Sequence, residues 1–290
     1  MPPKPIPLPE RKPNGSVSAL GYILVSQGKL TPNDVDRISG YQTSNGLRFG
    51  EAAQAIGLLS ETDVMQGLAQ QCAYAYLKEG DGNYPSELVA AYHPFSRQVE
   101  ALRSIRSELL FRWFDEGHRT LTVASVNSAD SASFFTANLA VVFSQLGKRT
   151  LIVDSNLRSP RQHQIFGVET NWGLSDIIGG RAGSDAISNS KAFPNLYVLP
   201  AGSRPPNPQE LLGQSSFSQA KDALAAGFDV TLLDSPSFSV GTDALHIAGR
   251  SGGLLLLVRK DRTSLKSLED IGQQLRRVGV RLVGTVIVEF

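Results

Sequence analysis

The sequence predicts an α/β protein in which a doubly wound, mostly parallel sheet follows a small all-helical repeat domain. Short apolar runs alternate with amphipathic segments after residue 119, a 24-residue pattern occurs twice before residue 72, and a turn-rich stretch separates the two regions. Continuous apolar runs are typical of parallel strands buried on both faces. Their alternation with helical segments is typical of a doubly wound fold.

Composition places the chain among globular proteins. Its 290 residues are 41% hydrophobic and 19% charged, which suits about two domains with substantial cores. The net charge of +1 is spread along the sequence and gives no reason to expect a nucleic acid partner. The single cysteine, Cys72, excludes an intramolecular disulfide, and with four scattered histidines it forms no metal-ligand spacing. We therefore expect no metal site.

The first 17 residues are expected to form a disordered, proline-rich leader. The stretch "MPPKPIPLPERKPNG" is rich in proline, which favours polyproline II and blocks helix formation. It lacks the pattern of a signal peptide, and no apolar run in the chain approaches the roughly 20 residues that span a bilayer. These features predict a cytoplasmic protein.

An internal repeat predicts that residues 18–77 form a helical domain. Segments 19–42 and 48–71 are each 24 residues long and are separated by the five residues "TSNGL". The landmark pairs at a shift of 29 are Gly21 and Gly50, Gly28 and Gly57, Leu30 and Leu59, Val35 and Val64, and Gln42 and Gln71. In each copy, apolar residues at helical spacing end at a glycine, which predicts a pair of helices.

The second helix of each copy has a predicted start. Thr31 and Ser60 are residue types that cap helix N-termini, and Pro32 stands at a favoured first helical position. Asp34 and Asp63 follow the two caps by three residues. They predict a capping box in which aspartate takes the place of glutamate.

The two copies resemble the double motif of the MshEN family, the N-terminal domain of type II secretion and type IV pilus assembly ATPases, whose members bind cyclic di-GMP. The resemblance implies that an arginine stacks on guanine and that a glycine admits the ligand. Arg48 and Gly50 match these positions in the second copy, whereas Ala19 replaces the arginine of the first. The positions implied as ligand contacts are Leu20, Gly21, Gln42, Arg48, Gly50 and Gln71.

A second interpretation of the repeat needs no ligand. Loss of one stacking arginine is expected to weaken binding by roughly 1–3 kcal/mol. The repeat would then be a helical docking module in which packing sets the Gly and Leu positions, and we favour this interpretation on the sequence alone.

Residues 78–97 are predicted to form a linker, because Gly, Pro and other turn formers dominate "KEGDGNYPSELVAAYHPFS". The helix predicted after it carries Glu100, Arg103 and Arg106 at intervals of three residues, which places them side by side. This E-x-x-R-x-x-R line is either an exposed salt-bridged face or a contact between subunits.

Residues 98–290 are predicted to form the α/β domain. Its strand-like runs are "RTLTVASV", "RTLIVDS", "NLYVLPAG", "FDVTLLDS", "GGLLLLVRK" and "RLVGTVIVEF". Helical segments between them include 133–146, 209–226 and 264–278. Ligands of such folds bind at the carboxyl ends of the strands.

Several segments of this domain resemble one family in their order and spacing. "EALRSIRSELLFRW", "LIVDSNLRSPRQHQIFG", "FDVTLLDSPS" and "TDALHIA" are similar to the bacterial tyrosine kinases (BY-kinases) of exopolysaccharide assembly. The closest group is the EpsG type of chain-length-determinant tyrosine autokinase, which also carries a MshEN-like N-terminus. The resemblance covers nearly all of residues 19–290 and implies a P-loop NTPase-like domain that binds Mg-ATP.

The loop that the family uses to bind phosphate is altered here. The family's loop ends G-x-G-K-[ST]: glycines let backbone N–H groups surround the phosphates, lysine neutralises their charge, and the hydroxyl ligates Mg²⁺. The matching positions are Ala129, Asp130, Ser131, Ala132 and Ser133, so both glycines and the lysine are absent. A non-glycine residue in a left-handed conformation costs roughly 1–2 kcal/mol. The nucleotide site is therefore predicted to be degenerate.

Two further nucleotide contacts of the family are also altered. The motif D-x-D-x-R runs from Asp154 to Arg158 and carries Asn156 in place of its second carboxylate, and Val288 replaces an asparagine that faces adenine in the family. Asp154 and the Walker B candidate Asp234 would be the carboxylates of an active enzyme. A structural interpretation assigns helix starts and caps to Ser133 and to strand-end aspartates.

These substitutions predict a catalytically inactive kinase homologue that acts as an adaptor or regulator of exopolysaccharide polymerisation and export. It is expected to dock on a membrane chain-length-determinant (polysaccharide co-polymerase) protein, peripheral to the inner membrane, or to pair with itself or an active kinase through the helix of Glu100, Arg103 and Arg106. The alternatives are an active tyrosine autokinase and a nucleotide-binding switch without hydrolysis. The adaptor is expected to need no cofactor. The two alternatives would bind ATP or ADP with Mg²⁺, and a repeat domain gated by a ligand would bind cyclic di-GMP.

Overall fold

The computed structural model describes residues 19–71, 76–77, 83–128 and 132–289, and the side chains of 69–71 also lie outside the description. The chain divides into two compact units, Met1–Tyr74 and Ala75–Phe290. The predicted leader and three positions of the altered loop, Ala129, Asp130 and Ser131, lie outside the described residues. Within the described ranges, every helix is too short or too polar to cross a membrane.

The first unit consists of two helix pairs, which confirms the arrangement predicted from the repeat. Helices α1 (Ala19–Ser26) and α2 (Pro32–Asn45) form the first copy, and α3 (Phe49–Ala55) and α4 (Glu61–Gln71) form the second. α1 packs against α4, and α2 packs against α3. Each copy therefore completes its core with helices of the other, as expected of repeats that cannot bury their apolar faces alone.

Capping boxes begin α2 and α4, as predicted. The hydroxyl of Thr31 accepts the N–H of Asp34 at 3.2 Å, and the Asp34 carboxylate accepts the N–H of Thr31 at 3.0 Å. Ser60 and Asp63 repeat both bonds at 3.1 and 3.0 Å. An ion pair between Lys29 and Asp63 joins the first copy to the second.

Glycines set the turns and allow a close helix approach in this unit. Gly28 and Gly57 follow α1 and α3 with φ of +70° in both copies, a left-handed conformation that glycine adopts without steric cost. Gly50 lies where α3 meets α4, and a Cβ atom there would be 2.6 Å from Cγ1 of Val64. Val64 is buried and β-branched, so its side chain has little freedom to move away.

The second unit is a seven-stranded sheet with helices packed on it, which confirms the predicted α/β fold class. Its helices are α5 (Val89–Tyr92), α6 (Arg97–Leu109), α7 (Ala132–Gln145), α8 (Gln162–Ile165), α9 (Leu174–Ile178), α10 (Pro208–Gly213), α11 (Ser215–Ala225), α12 (Asp243–Ser251) and α13 (Leu265–Arg277). Its strands are β1 (Thr120–Ser125), β2 (Thr150–Asp154), β3 (Ser188–Asn189), β4 (Leu196–Leu199), β5 (Val230–Asp234), β6 (Gly253–Arg259) and β7 (Arg281–Val288).

The strands are arranged in the order β3-β4-β2-β5-β1-β6-β7. The short pairing of β3 with β4 is antiparallel, and the other pairings are parallel. The central strands β1, β2 and β5 are buried along their whole length. Ile152 of β2 joins one hydrophobic cluster while Leu151 and Val153 join another, because successive side chains of a strand point to opposite faces.

The described part of the predicted linker is packed against the α/β unit. Leu88, Ala90 and Ala91 are fully buried. The side chain of Asn138 on α7 accepts the N–H of Ala90 and donates to the carbonyl of Glu87, both at 2.8 Å. The turn formers of this stretch therefore shape a segment that covers α7, and its single helical turn, α5, is too short to show a period in the sequence.

The helix predicted over 209–226 is two helices in the structure. Gln214 has extended backbone angles, φ −69° and ψ 152°, between α10 and α11. It follows Gly213, and glycine has a low helix propensity. The predicted helices over 133–146 and 264–278 are present as α7 and α13.

Candidate functional site

The carboxyl ends of β1, β2 and β5 meet at one edge of the sheet, beside the first turn of α7. Asp154 ends β2 and Asp234 ends β5, and the two residues are direct partners in the parallel register. Ser133, Asn156 and Arg158 line a cleft at the same edge. The structure therefore brings together the described members of the predicted nucleotide site.

Asp154 holds the chain that follows β2. Its side chain is fully buried and accepts three backbone N–H groups: that of Asn156 at 3.2 Å, that of Arg161 at 2.8 Å and that of Gln162 at 2.9 Å. Burial and the negative charge of Asp234 raise the pKa of Asp154, and the three N–H bonds oppose this. Through these contacts, Asp154 fixes the conformation of the loop that follows β2.

Asp234 is bound by a side chain that the sequence did not single out. Nε2 of Gln162 donates to Oδ2 of Asp234 at 2.7 Å and to the carbonyl of Ser133 at 3.0 Å. Gln162 and Asp234 are both fully buried, and Oδ1 of Asp234 has no hydrogen-bond partner among the described residues. Burial raises the pKa of Asp234, while hydrogen bonding by Gln162 and Ser133 lowers it.

Asn156 and Arg158 also make contacts within the protein. Oδ1 of Asn156 accepts the N–H of Ser159 at 3.1 Å. The Arg158 guanidinium donates from Nε and Nη2 to the two carboxylate oxygens of Asp243, at 2.6 and 3.2 Å. This bidentate pair raises the pKa of Arg158 and fixes the loop to the start of α12, where Asp243 is buried.

The cleft above these residues has a volume of about 430 Å³. Its lining residues are Ser125, Ser128, Ala132, Ser133, Phe134, Asn156, Arg158, Ser159, Arg161, Ser235, Pro236, Ser237 and Val240. Among the described residues, no aspartate or glutamate lines it, and Asp154 and Asp234 are both fully buried. The guanidinium carbon of Arg161 lies 5.2 Å from the centre of the Phe134 ring.

Sequence reasoning missed three residues of this region: Arg161, Gln162 and Asp243. The first two stand in "SPRQHQIFG" and the third in "TDALHIA", segments that carry the family resemblance. Nothing in their spacing marks them, because their partners are distant in sequence. Asp243, for example, is separated by 85 residues from Arg158.

The predicted oligomer contact on α6 is partly used within the chain. Glu100 and Arg103 form an ion pair with each other. Nη1 of Arg106 donates to the carbonyl of Val142 on α7 at 2.8 Å. Glu100 is exposed, whereas Arg106 is half-buried against its own unit.

An apolar cavity of about 560 Å³ adjoins the cleft. Val288, the position implied to face adenine, lines it together with Val286, Ile287 and Phe135, and Phe134 lines both the cavity and the cleft. Val288 is 9% exposed. Aliphatic and aromatic side chains line much of the cavity where the family has an amide, and Glu87, Gln98, Asn138 and Glu289 also line it.

In the helical unit, the implied cyclic di-GMP positions differ in their surroundings. Arg48 is exposed, and its backbone N–H donates to Glu51 at 2.8 Å at the start of α3. Leu20 is buried in the core of the unit. The carbonyl of Gln42 accepts the N–H groups of Gly46 and Leu47 where α2 ends, and the side chain of Gln71 lies outside the description.

A mostly parallel sheet with a strand-to-helix loop after β1 and aspartates at the ends of adjacent strands defines the class of P-loop NTPase-like domains. No family model matches the chain. CapB of Staphylococcus aureus, assigned as a tyrosine-protein kinase, is 33% identical over 195 residues, which are 67% of this chain and 85% of CapB. The chain belongs to the family of bacterial tyrosine kinases, the BY-kinases.

Two further comparisons agree with this family. The tyrosine-protein kinase Wzc of Salmonella typhi is 31% identical over 202 residues, which are 70% of this chain and 28% of Wzc. The kinase domain of Escherichia coli tyrosine kinase ETK superposes with a TM-score of 0.67 at 26% identity, over 73% of this chain and 84% of that domain. The matched region spans less than a third of the length of Wzc and of several other curated relatives.

Proposed function

We propose that this chain is a catalytically inactive BY-kinase homologue that serves as an adaptor or regulator in bacterial exopolysaccharide polymerisation and export. The observation that carries the proposal is the lining of the cleft, which among the described residues contains no carboxylate. Phosphoryl transfer to a hydroxyl needs bound Mg²⁺ and a residue that orients or deprotonates the attacking oxygen. The described residues of the cleft do not offer that set.

The contacts of each candidate group support the same conclusion. Asp154 uses its oxygens on three backbone N–H groups, and Asp234 is covered by Gln162. Asn156 is not a base and its oxygen caps the N–H of Ser159. The residues of the cleft that the structure describes therefore do not fit Mg-ATP as the family binds it.

The relatives supply the biological setting of the proposal. CapB and Wzc carry the name of tyrosine-protein kinases, and kinases of this family serve exopolysaccharide assembly. The adaptor would dock on a membrane chain-length-determinant protein, which would place it at the cytoplasmic face of the inner membrane. The helical unit would supply a second docking surface, and cyclic di-GMP bound at Arg48 would regulate docking at that surface.

An active tyrosine autokinase is the second candidate function. It is favoured by one observation, the retention of Asp154 and Asp234 as partners at the ends of adjacent strands. An active enzyme would have to expose both carboxylates to a metal ion by breaking the bonds from Gln162 and the loop.

The deciding experiment incubates the purified full chain with Mg-ATP and detects phosphotyrosine with an antibody. We expect no signal from the unmodified chain. A matched variant carries Ala129→Gly, Ser131→Gly, Ala132→Lys and Asn156→Asp, which restores the family's loop and second carboxylate. Phosphotyrosine on the unmodified chain would show that the proposal is wrong, and co-purification with the membrane protein tests docking separately.

A further inference from the structure

The edge of the sheet where the parallel strands begin lies opposite the cleft and carries a row of arginines. We call it the amino edge, and it comprises the starts of β1, β2, β5, β6 and β7 with the helix ends beside them. Arg119 and Arg149 directly precede β1 and β2, Arg281 begins β7, and all three are exposed. Neighbouring strands lie about 4.8 Å apart in the order β2-β5-β1-β6-β7, so these arginines recur roughly every 10 Å along the edge.

The helices between the strands end at the amino edge with further arginines. A helix that connects two parallel strands runs antiparallel to them, so it ends where the next strand begins. Arg250 lies in the last turn of α12, and Arg276 and Arg277 lie in the last turn of α13. All three of these side chains are exposed.

The carboxylates of the amino edge do not balance these charges. In the part of the chain that the structure describes, they are Glu108, Asp115, Glu116, Asp222 and Asp229. Three of the five form ion pairs within the unit, with Arg112, Lys221 and Arg281. The five arginines of the edge that lie outside those pairs are Arg119, Arg149, Arg250, Arg276 and Arg277. Because only Asp115 and Asp229 remain to oppose them, the edge is positively charged.

Large apolar side chains are exposed among these arginines. Phe111 is 74% exposed, Leu146 46%, Val278 47% and Leu282 44%. They lie one to three residues from exposed arginines, which are Arg112, Arg149, Arg277 and Arg281 in the same order. Helix dipoles favour cations at the carboxyl ends of helices. They give no reason for exposed apolar side chains beside those cations.

Phe111 belongs to a π-helical turn, Leu110–Phe114, that is fixed at the amino edge. Nε1 of Trp113 in this turn donates to the carbonyl of Thr120 at 2.9 Å, and the Trp113 side chain is buried. The guanidinium carbon of Arg281 lies 5.8 Å from the centre of the Trp113 ring. An anchored turn therefore presents Phe111 to solvent, and π-helical turns are frequent at functional sites.

Cations and exposed apolar side chains on one surface match the chemistry of a bilayer that contains anionic lipids. Arginines attract the headgroup phosphates, and aromatic and aliphatic side chains insert at the boundary between headgroups and acyl chains. We propose that the amino edge of the α/β unit contacts the anionic lipids of the membrane directly.

This inference goes beyond the proposed function, in which a membrane protein holds the chain at the inner membrane, and it does not depend on catalytic inactivity. Direct contact of the amino edge turns the cleft, which lies at the opposite edge of the sheet, away from the bilayer. The cleft then stays accessible while the chain is bound to lipid.

Co-sedimentation of the purified full chain with lipid vesicles tests the inference. The vesicles consist of phosphatidylcholine alone or of phosphatidylcholine with about 30% phosphatidylglycerol, an anionic lipid. We expect binding to the anionic vesicles and binding weaker by about tenfold or more to the neutral ones. Binding to the anionic vesicles should be lost as the salt concentration rises from about 0.1 M to about 0.5 M.

Two variants remove the two kinds of side chain separately. Arg276→Gln combined with Arg277→Gln should weaken binding to the anionic vesicles about 25-fold, because each arginine near an anionic surface contributes about fivefold. Leu282→Thr places a residue that suits an exposed strand position and should weaken binding about threefold or more, because it removes an apolar contact with the bilayer.

Matched controls lie at the other end of α13, next to the carboxyl end of β6. Arg262→Gln combined with Lys266→Gln removes the same charge, and Leu265→Thr removes the same kind of side chain. All three residues are exposed. Both controls should bind the anionic vesicles within about twofold of the unmodified chain.

Three results would overturn the inference. Equal losses in each variant and its control would mean that net charge or general hydrophobicity explains the binding. Equal binding to neutral and anionic vesicles would exclude recognition of anionic headgroups. Absence of co-sedimentation at about millimolar lipid would leave the amino edge to an acidic protein surface. The proposed function survives each of these results, because the phosphotyrosine measurement tests it independently.

Discussion

Two pairs of aspartates, one pair in each unit of this protein, have pKa values shifted in opposite directions. In the helical unit, Asp34 and Asp63 stand at helix starts, and their capping bonds lower their pKa values. For Asp63, the hydrogen bonds from Lys29 and Ser60 lower the pKa to about 2. In the α/β unit, Asp154 and Asp234 are fully buried at strand ends, and burial raises their pKa values.

For these two pairs of aspartates, the direction of the pKa shift reflects the balance between the hydration that the carboxylate loses and the hydrogen bonds that its ionised form accepts. A capping carboxylate keeps part of its hydration and gains hydrogen bonds in its ionised form, so ionisation stabilises the folded state. A buried carboxylate loses its hydration, and its hydrogen bonds only partly compensate. The strand-end pair is therefore suited to holding a loop, at an electrostatic cost that increases with pH.

The largest expected effect is that of Asp154→Ala. This change leaves the N–H groups of Asn156, Arg161 and Gln162 without their acceptor inside the fold. The free energy of unfolding should fall by about 2–4 kcal/mol, as expected when buried donors lose their partners. Urea denaturation of the full chain measures it, and Asp154→Asn, which keeps one acceptor oxygen, should lose less. A decrease in the free energy of unfolding below about 0.5 kcal/mol would contradict the conclusion that Asp154 fixes the loop.

The second largest expected effect is on how the free energy of unfolding depends on pH. Because the folded-state pKa values of Asp154 and Asp234 are raised, the folded state binds more protons than the unfolded state above about pH 4. Their contribution to stability is therefore fully present below pH 4 and decreases as pH rises through the raised values. Each group can contribute at most about 1.4 kcal/mol per pH unit.

Asp234→Asn isolates this effect, because the amide keeps an oxygen that can accept from Gln162 while the titrating group is removed. The loss of stability between pH 5 and pH 8, measured by urea denaturation, should be smaller in this variant than in the unmodified chain. Parallel pH profiles for the two proteins would show that Asp234 does not carry a raised pKa.

The smallest effect concerns the helical unit. Asp63→Ala removes the capping bonds to Ser60 and the ion pair with Lys29, which should cost about 1 kcal/mol. The pH dependence of this contribution is opposite to that of the buried pair. It is present above the ordinary aspartate pKa of about 4 and is lost as pH falls through about 2. Hydrogen exchange of α4 amides in the full chain measures it. Asp36→Ala, at an exposed position of α2, is the control.

The sequence predicts those structural features that depend on residues close together in the chain. The caps at Thr31 and Ser60 involve residues three apart, and the strands follow from runs of apolar residues that the structure buries. The equivalence of Gly28 and Gly57 followed from the repeat and is confirmed by their identical φ. These features are determined within one turn or one strand.

The sequence does not predict the polar contacts between residues that are far apart in the chain. The packing of the segment before α6 needs Asn138, which is 48 residues from Ala90. Gln162 bridges Ser133 and Asp234 across 29 and 72 residues. Polar side chains of this kind have no period, so their partners become evident only when the strand ends are brought together.

The close approach at Gly50 also constrains how this protein can change over generations. Any larger side chain there would push Val64 away and separate α3 from α4. A lineage that stopped using a ligand would still retain glycine at this position, because selection for packing alone is enough. Arg48 has an exposed side chain and no comparable packing constraint. Its persistence or drift among descendants, and not that of Gly50, would record whether a ligand of the repeat domain is under selection.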